Sequence, residues 1–266
     1  MDYRGKIVVV TGASSGIGLA LVREFHGLGA HVVMGARSFD KLQEIETELV
    51  GSISVLCDVS KDGDCRELIE AAIERFGGVD ILINNAGISM RALFDDVSLE
   101  VLHKLMDVNF WGAVHCTKYA LPYIQKSKGT IVGVSSVAGF HGLPARTGYS
   151  ASKYAMIGFL ETIRIENLYK GVHVMVVAPG FTESNVRCAA LMADGSAQGV
   201  SPRAEGRMMT SGEVAHKIII GITKKRRTML MDFDGKATRW LKFFAPSLLD
   251  RLYYKHMAKE PDSPLK

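Results

Sequence analysis

No uninterrupted apolar run approaches the ~18 residues that a membrane-spanning helix needs, so no spanning segment is expected. No secretory leader is read either: "MDYRGKIVVVTGASSGIG" passes almost at once into a β-branched run and a glycine loop. Cysteine is scarce. Cys57, Cys65, Cys116 and Cys188 form no CxxC pair and no metal-ligand spacing, which argues against a disulfide scaffold and for free thiols in a reducing, cytoplasmic setting. The eight histidines also lack ligand patterning, so no metal site is expected.

What is present suits a folded enzyme-sized domain. The 266 residues are 47 % hydrophobic and 23 % charged, enough for one large α/β core. The net charge of +4 is unevenly placed: residues 224–259 carry ten Lys/Arg and three Asp/Glu, leaving the remainder acidic. A basic segment of this kind gives no ground for a nucleic-acid partner.

Short β-branched runs alternate with longer amphipathic ones. Strands are expected at 6–11, 31–36, 53–58, 79–85, 129–136 and 172–179, with a seventh around 228–231. Helical patterns fill the gaps, among them 16–29, 62–76, 98–126 and 149–170. Continuous apolar strands separated by helices imply a doubly wound, mostly parallel seven-stranded sheet covered on both faces, in a single domain. Residues 1–235 would form its body, with an aperiodic excursion at 181–210, and 236–266 a basic amphipathic extension of it. Thr210 and Glu213 stand at capping-box spacing, so a helix should restart there.

"TGASSGIG" (11–18) lies between the first strand and the first helix. Gly12, Gly16 and Gly18 there would let the backbone turn tightly and approach a pyrophosphate at the helix N-terminus. The second strand ends in Gly35, Ala36 and Arg37, without the carboxylate that takes an NAD ribose. Arg37, helped by Ser14 and Ser15, suits a 2′-phosphate, which favours NADP(H) over NAD(H); the competing reading makes Arg37 a solvated cation.

Tyr149 and Lys153 are four apart in "GYSASKYAM" and share one helix face. An ammonium near a phenol would lower its pKa from ~10 and ready it for acid/base work. Alone the pair is a weak signal. In order along the chain, however, stand "TGASSGIG", "NNAG" (84–87), Asn109 in "DVNFWG", "VSS" ending at Ser136, "YSASK" (149–153) and "PG" (179–180). As a set they resemble the classical short-chain dehydrogenase/reductases over roughly residues 4–235. The basic apolar tail is similar to those of membrane-associated steroid- and lipid-type carbonyl reductases.

The resemblance implies a Rossmann-type fold and assigns roles. Tyr149 would be the proton donor or acceptor, and Ser136 would polarise the substrate carbonyl, with Ser135 a rival by position. Lys153 would bind the nicotinamide ribose and lower the Tyr149 pKa, and Asn109 would anchor a water linking Lys153 to solvent. Gly12, Ser14, Ser15, Gly16, Ile17 and Gly18 would hold the pyrophosphate end. Asp58 and Val59 would flank the adenine, and Asn84, Ala86 and Gly87 would line the ribose, with Asn85 structural. Pro179, Gly180 and Thr182 would line the nicotinamide side. Thr182 stands where the family often has an aliphatic residue, and Ser184 where it often has Thr.

The reaction implied is hydride transfer between NADP(H) and a ketone or secondary alcohol. Phe140, Leu143, Phe181, Leu191 and Met192 would make an apolar pocket for a steroid-, sphingoid- or fatty-type substrate, with His141 and Arg146 facing water or, as the alternative, meeting a polar group. Homodimers or homotetramers are usual in the family. A non-catalytic NADP(H)-binding sensor or scaffold on the same fold is the alternative. In the tail, Leu241, Phe244, Ala245, Leu248, Leu249 and Leu252 follow helical spacing, limited or kinked at Pro246. That stripe is expected to pack on protein, the alternative being a peripheral membrane contact through 236–259.

Overall fold

The computed structural model describes residues 2–180, 182, 189–199, 208–260 and 262–265. Phe181, Ser184, Cys188 and half of the 181–210 excursion lie outside the described residues.

The strands are β1 (Ile7–Thr11), β2 (His31–Ala36), β3 (Ile53–Leu56), β4 (Ile81–Asn84), β5 (Thr130–Val134), β6 (His173–Ala178) and β7 (Thr228–Leu230). They form one seven-stranded sheet in the order β3-β2-β1-β4-β5-β6-β7. Every pairing is parallel. The helices are α1 (Gly16–Gly27), α2 (Phe39–Glu48), α3 (Asp62–Phe76), α4 (Leu99–Met106), α5 (Gly112–Ser127), α6 (Thr147–Glu166), α7 (Ser211–Thr223), α8 (Phe233–Phe244) and α9 (Pro246–Ala258).

Alternation along each strand feeds two cores. Val8, Val10, Ile81 and Ile83 pack with Leu21, Phe25 and Ile218 on one face. Val9 and Leu82 pack with Leu68, Ile124 and Leu160 on the other. Each such side chain contributes roughly 1.5–3 kcal/mol on burial, which holds the helices against both faces. The strand order reverses between β1 and β4, and the crevice at their carboxyl ends is where this fold class binds ligands.

One element differs from the sequence reading, and the tail is limited at the proline as expected. The helical pattern over 98–126 is interrupted by a π-helical turn, Asp107–Trp111. The tail forms two helices, with Pro246 at the first turn of α9, where its missing N–H costs nothing. The Thr210–Glu213 capping box is present at the start of α7.

Candidate active site

A cavity of about 450 Å³ opens at the carboxyl ends of β1, β4, β5 and β6. At one end lie Gly12, Ser14, Ser15, Gly16 and Ile17. Ser15 precedes α1 without a side-chain cap, which leaves the first N–H groups of the helix, beside the cavity, without that partner. Gly12 has φ +65°, and a Cβ there would stand 3.0 Å from Ala86 Cα. Gly18 lies behind this wall, where a Cβ would collide with the Gly12 carbonyl oxygen. The turn therefore needs glycine for close packing as much as for any ligand, and the cradle that results fits a pyrophosphate.

Arg37 and Ser38 flank the same end from β2, with Asp58 and Val59 opposite. Burial pushes the Asp58 carboxyl up, but hydrogen bonds from Ser60 and the nearby Arg37 charge outweigh it, and its pKa lies below the usual value. Asp58 Oδ1 accepts from Ser60 Oγ at 2.7 Å and from Ser60 N at 3.1 Å.

Along the floor, Asn85, Ala86 and Gly87 are on the cavity wall. Asn84 is not among the lining residues; its side chain is buried and donates to Thr117 Oγ1 at 3.0 Å. Asn85 also clamps the turn, donating from Nδ2 to the Thr11 carbonyl oxygen at 2.9 Å. Pro179, Gly180 and Thr182 line the far side, and Thr182 Oγ1 donates to the Gly180 carbonyl oxygen at 3.1 Å.

Ser136, Tyr149 and Lys153 converge on the cavity. Ser136 ends the stretch after β5, and its hydroxyl accepts from Ala138 N at 3.2 Å. Ser135 also reaches the wall, but its hydroxyl donates back to the Lys153 carbonyl oxygen at 3.4 Å. The geometry thus separates the two serines that the sequence left as rivals.

The electrostatics differ from expectation. Burial pushes the Tyr149 phenol up, while the Ser136 hydrogen bond and the Arg146 charge pull it down by less. Lys153 is not among the groups that lower it. Burial instead lowers the Lys153 amine to about 8, and its Nζ donates to the Val134 carbonyl oxygen at 2.9 Å. Within the protein alone, desolvation dominates both groups.

Asn109 is fully buried, behind the cavity wall, in the π-helical turn. Its Oδ1 accepts from Ile88 N at 2.8 Å, and its Nδ2 donates to the Ile88 carbonyl oxygen at 2.9 Å and to Ser152 Oγ at 2.9 Å. These bonds let the side chain hold the loop after β4 against α6.

The substrate side also departs from the sequence reading. Leu143 and Arg146 are on the wall, so Arg146 faces the cavity. Phe140 packs on the α3–α5–α6 core, Leu191 belongs to a small cluster with Met90 and Leu105, and Met192 is exposed. His141 is buried against the tail, its ring 4.9 Å from that of Tyr253. Met257 and Glu260, from the end of the chain, complete the wall; no local motif marks them.

The tail is anchored by Lys242, which donates to the Phe140 carbonyl oxygen at 2.7 Å, and its two helices are joined by Thr238 hydrogen-bonded to Tyr253 at 2.7 Å. Of the expected stripe only Leu249 is buried; Phe244, Leu248 and Leu252 face outward. The stripe, broken at Pro246, thus forms no single buried face. No helix among the described residues is long and apolar enough to cross a membrane.

Residues 6–192 match the family model for short chain dehydrogenases. The mouse protein "Dehydrogenase/reductase SDR family member 7B" is 34 % identical over 98 % of this chain and 84 % of its own length. "11-beta-hydroxysteroid dehydrogenase-like 4A" of Arabidopsis thaliana is 36 % identical over 92 % of this chain and 82 % of its own. A Burkholderia phymatum short chain dehydrogenase/reductase solved in complex with NAD superposes with a TM-score of 0.82 at 26 % identity, covering 93 % of this chain and 96 % of that one. The glycine cradle, the Ser136–Tyr149–Lys153 cluster and these matches together lead to one conclusion: the chain belongs to the classical short-chain dehydrogenase/reductase family of oxidoreductases.

Proposed function

We propose that the protein is an NADP(H)-dependent oxidoreductase that interconverts a ketone and a secondary alcohol on an apolar, steroid-, sphingoid- or fatty-type substrate. The observation that carries this reading is that Ser136, Tyr149 and Lys153 share one cavity with an uncapped helix N-terminus and Arg37. When bound, the nicotinamide supplies or takes up the hydride. Tyr149 gives a proton to the substrate oxygen in reduction and takes it back in oxidation. Ser136 and Tyr149 donate hydrogen bonds to the developing alkoxide, and Lys153 holds the cofactor ribose while its charge, with that of the oxidised nicotinamide, offsets the burial that raises Tyr149. Gly12, Ser14, Ser15, Gly16 and Ile17 hold the pyrophosphate, backed by Gly18, with Asp58 and Val59 at the adenine and Asn85, Ala86 and Gly87 along the ribose. Asn84 and Asn109 act from behind the wall as positioning residues. Pro179, Gly180 and Thr182 support the nicotinamide.

Arg37 decides the choice of NADP(H). It lines the same cavity as the glycine turn, and the end of β2 at Ala36 is followed by Arg37 rather than an acid, which supports the reading. A fluorescence titration with NADPH and NADH, repeated on Arg37→Ala, tests this. NADPH preference in the wild type and its loss in the variant support the reading; equal or tighter NADH binding, unchanged in the variant, contradicts it.

A peripheral membrane contact accompanies this reading. Trp240, Phe243 and Phe244 are 68 %, 77 % and 76 % exposed on α8, and Leu248 and Leu252 are exposed on α9. Lys236, Arg251 and Lys255 are exposed on the same two helices. Aromatic residues with a basic rim suit the interface of an anionic bilayer, which supports a cytoplasmic protein with a peripheral membrane contact. Ile165 and Leu168, exposed at the end of α6, suit a homodimer or homotetramer contact.

A further inference from the structure

Ser89 stands two residues beyond Gly87 on the loop after β4 and lines the cavity. It is only 8 % exposed, yet its hydroxyl makes no hydrogen bond among the described residues. The other buried serines among them, Ser52, Ser135, Ser150, Ser152 and Ser263, each have a side-chain bond. A buried hydroxyl without a partner is costly, and this one has only the cavity from which to take one. The backbone that carries it is fixed. Ile88 is bonded through both its N–H and its carbonyl oxygen to Asn109. The Ser89 carbonyl oxygen accepts from Leu191 N at 2.9 Å, and Arg91 N donates to the Leu191 carbonyl oxygen at 2.8 Å. The hydroxyl is therefore held in place before any ligand arrives. Tyr149 packs against the cluster of Met90 and Leu191, which sets Ser89 on the Tyr149 side of the cavity rather than beside Arg37.

We propose that Ser89 is a specificity residue whose hydroxyl hydrogen-bonds a neutral oxygen, a hydroxyl or a second carbonyl, carried by the substrate away from its reacting carbon. A serine offers one donor and two acceptor lone pairs, so it matches either kind of oxygen. The partner is neutral because a single hydroxyl does not repay the desolvation of a charged group. Leu143, Ala190 and Met257 line the same cavity with apolar side chains, so the remainder of the molecule is apolar. A substrate without the extra oxygen would cut the hydroxyl off from water and give it nothing in return, which is the situation in which a polar site discriminates best.

This inference rests on the ketone–alcohol reading above. The test follows NADPH consumption with straight-chain methyl ketones, bare or bearing a hydroxyl or a second carbonyl at successive carbons, on the wild type, Ser89→Ala and Ser89→Thr. At the position that reaches Ser89, the wild type should prefer the oxygenated ketone by roughly tenfold in kcat/KM, mostly through KM. Ser89→Ala should bring that ratio close to one while kcat for the bare ketone holds. Ser89→Thr, which keeps the hydroxyl, should retain most of the preference. NADPH titration should give the same affinity for all three proteins. No preference for an oxygenated ketone at any position overturns the proposal while leaving the oxidoreductase reading standing. So does a preference that survives in Ser89→Ala, or a tenfold loss of NADPH affinity in that variant, which assigns the hydroxyl to the cofactor. No NADPH consumption with any probe overturns the oxidoreductase reading and this proposal with it.

Discussion

Lys153 Nζ donates to the Val134 carbonyl oxygen at 2.9 Å and stands 5.9 Å from the centroid of the Tyr149 ring. The amine is thus tied to the end of β5 rather than to the phenol one turn away. Burial lowers its pKa from 10.5 to about 8, and this has a consequence for stability. Between those values the unfolded chain binds the proton and the folded one releases it, so stability from this group rises with pH. Below about 8 both states are protonated and the full penalty, about 3 kcal/mol, is present. Urea unfolding of the wild type and Lys153→Met should show the difference moving by about that amount in favour of the wild type from neutral pH to above 10.5. A difference independent of pH contradicts this account.

Asn109→Ala removes all the hydrogen bonds that join Ile88 to Ser152. Leaving those buried groups unsatisfied should cost roughly 2–4 kcal/mol. Hydrogen exchange should speed up in the π-helical turn 107–111 before it does in the sheet. Unchanged protection there would mean that the turn holds without the clamp.

Gly18→Ala brings a Cβ against the Gly12 carbonyl oxygen and to 2.7 Å from Asn85 Nδ2. Both belong to the turn and its clamp. The variant should lose about 1–3 kcal/mol of stability and bind NADPH more weakly, read by thermal unfolding and titration on the same sample. Wild-type affinity would show that the turn can shift without disturbing the cradle.

The sheet was legible because its strands are continuous β-branched runs, as at Ile7–Thr11 and His173–Ala178, and because local glycine punctuation surrounds them. Tyr149 and Lys153 were legible because helix periodicity alone puts them on one face. What the sequence did not disclose depends on contacts between distant segments. The π-helical turn forms where Asn109 meets both Ile88 and Ser152, and no local pattern encodes that meeting. The choice between Ser135 and Ser136 turns on hydroxyl direction. Glu260 reaches the cavity only because α8 and α9 fold back over the loop that carries Phe140 and His141. The burial that raises the Tyr149 phenol was not legible either, because spacing reports proximity and says nothing of desolvation.

Replacing Trp240, Phe243 and Phe244 together with Ser removes the most exposed aromatic surface of α8. Co-sedimentation with vesicles of phosphatidylcholine and phosphatidylserine should fall at least tenfold, consistent with the loss of large interfacial apolar side chains. NADPH binding should persist. Undiminished co-sedimentation would reassign this face to a protein contact.

The most direct measurement is NADPH consumption with a panel of steroid, sphingoid and fatty ketones, run on the wild type and on Tyr149→Phe. The account predicts turnover of at least one ketone by the wild type and a fall in kcat of roughly 10²–10⁴-fold in the variant, with NADPH still bound. A variant that turns over as fast as the wild type would contradict the role given to Tyr149, and a wild type that binds NADPH but reduces nothing would favour a cofactor-binding sensor over an enzyme.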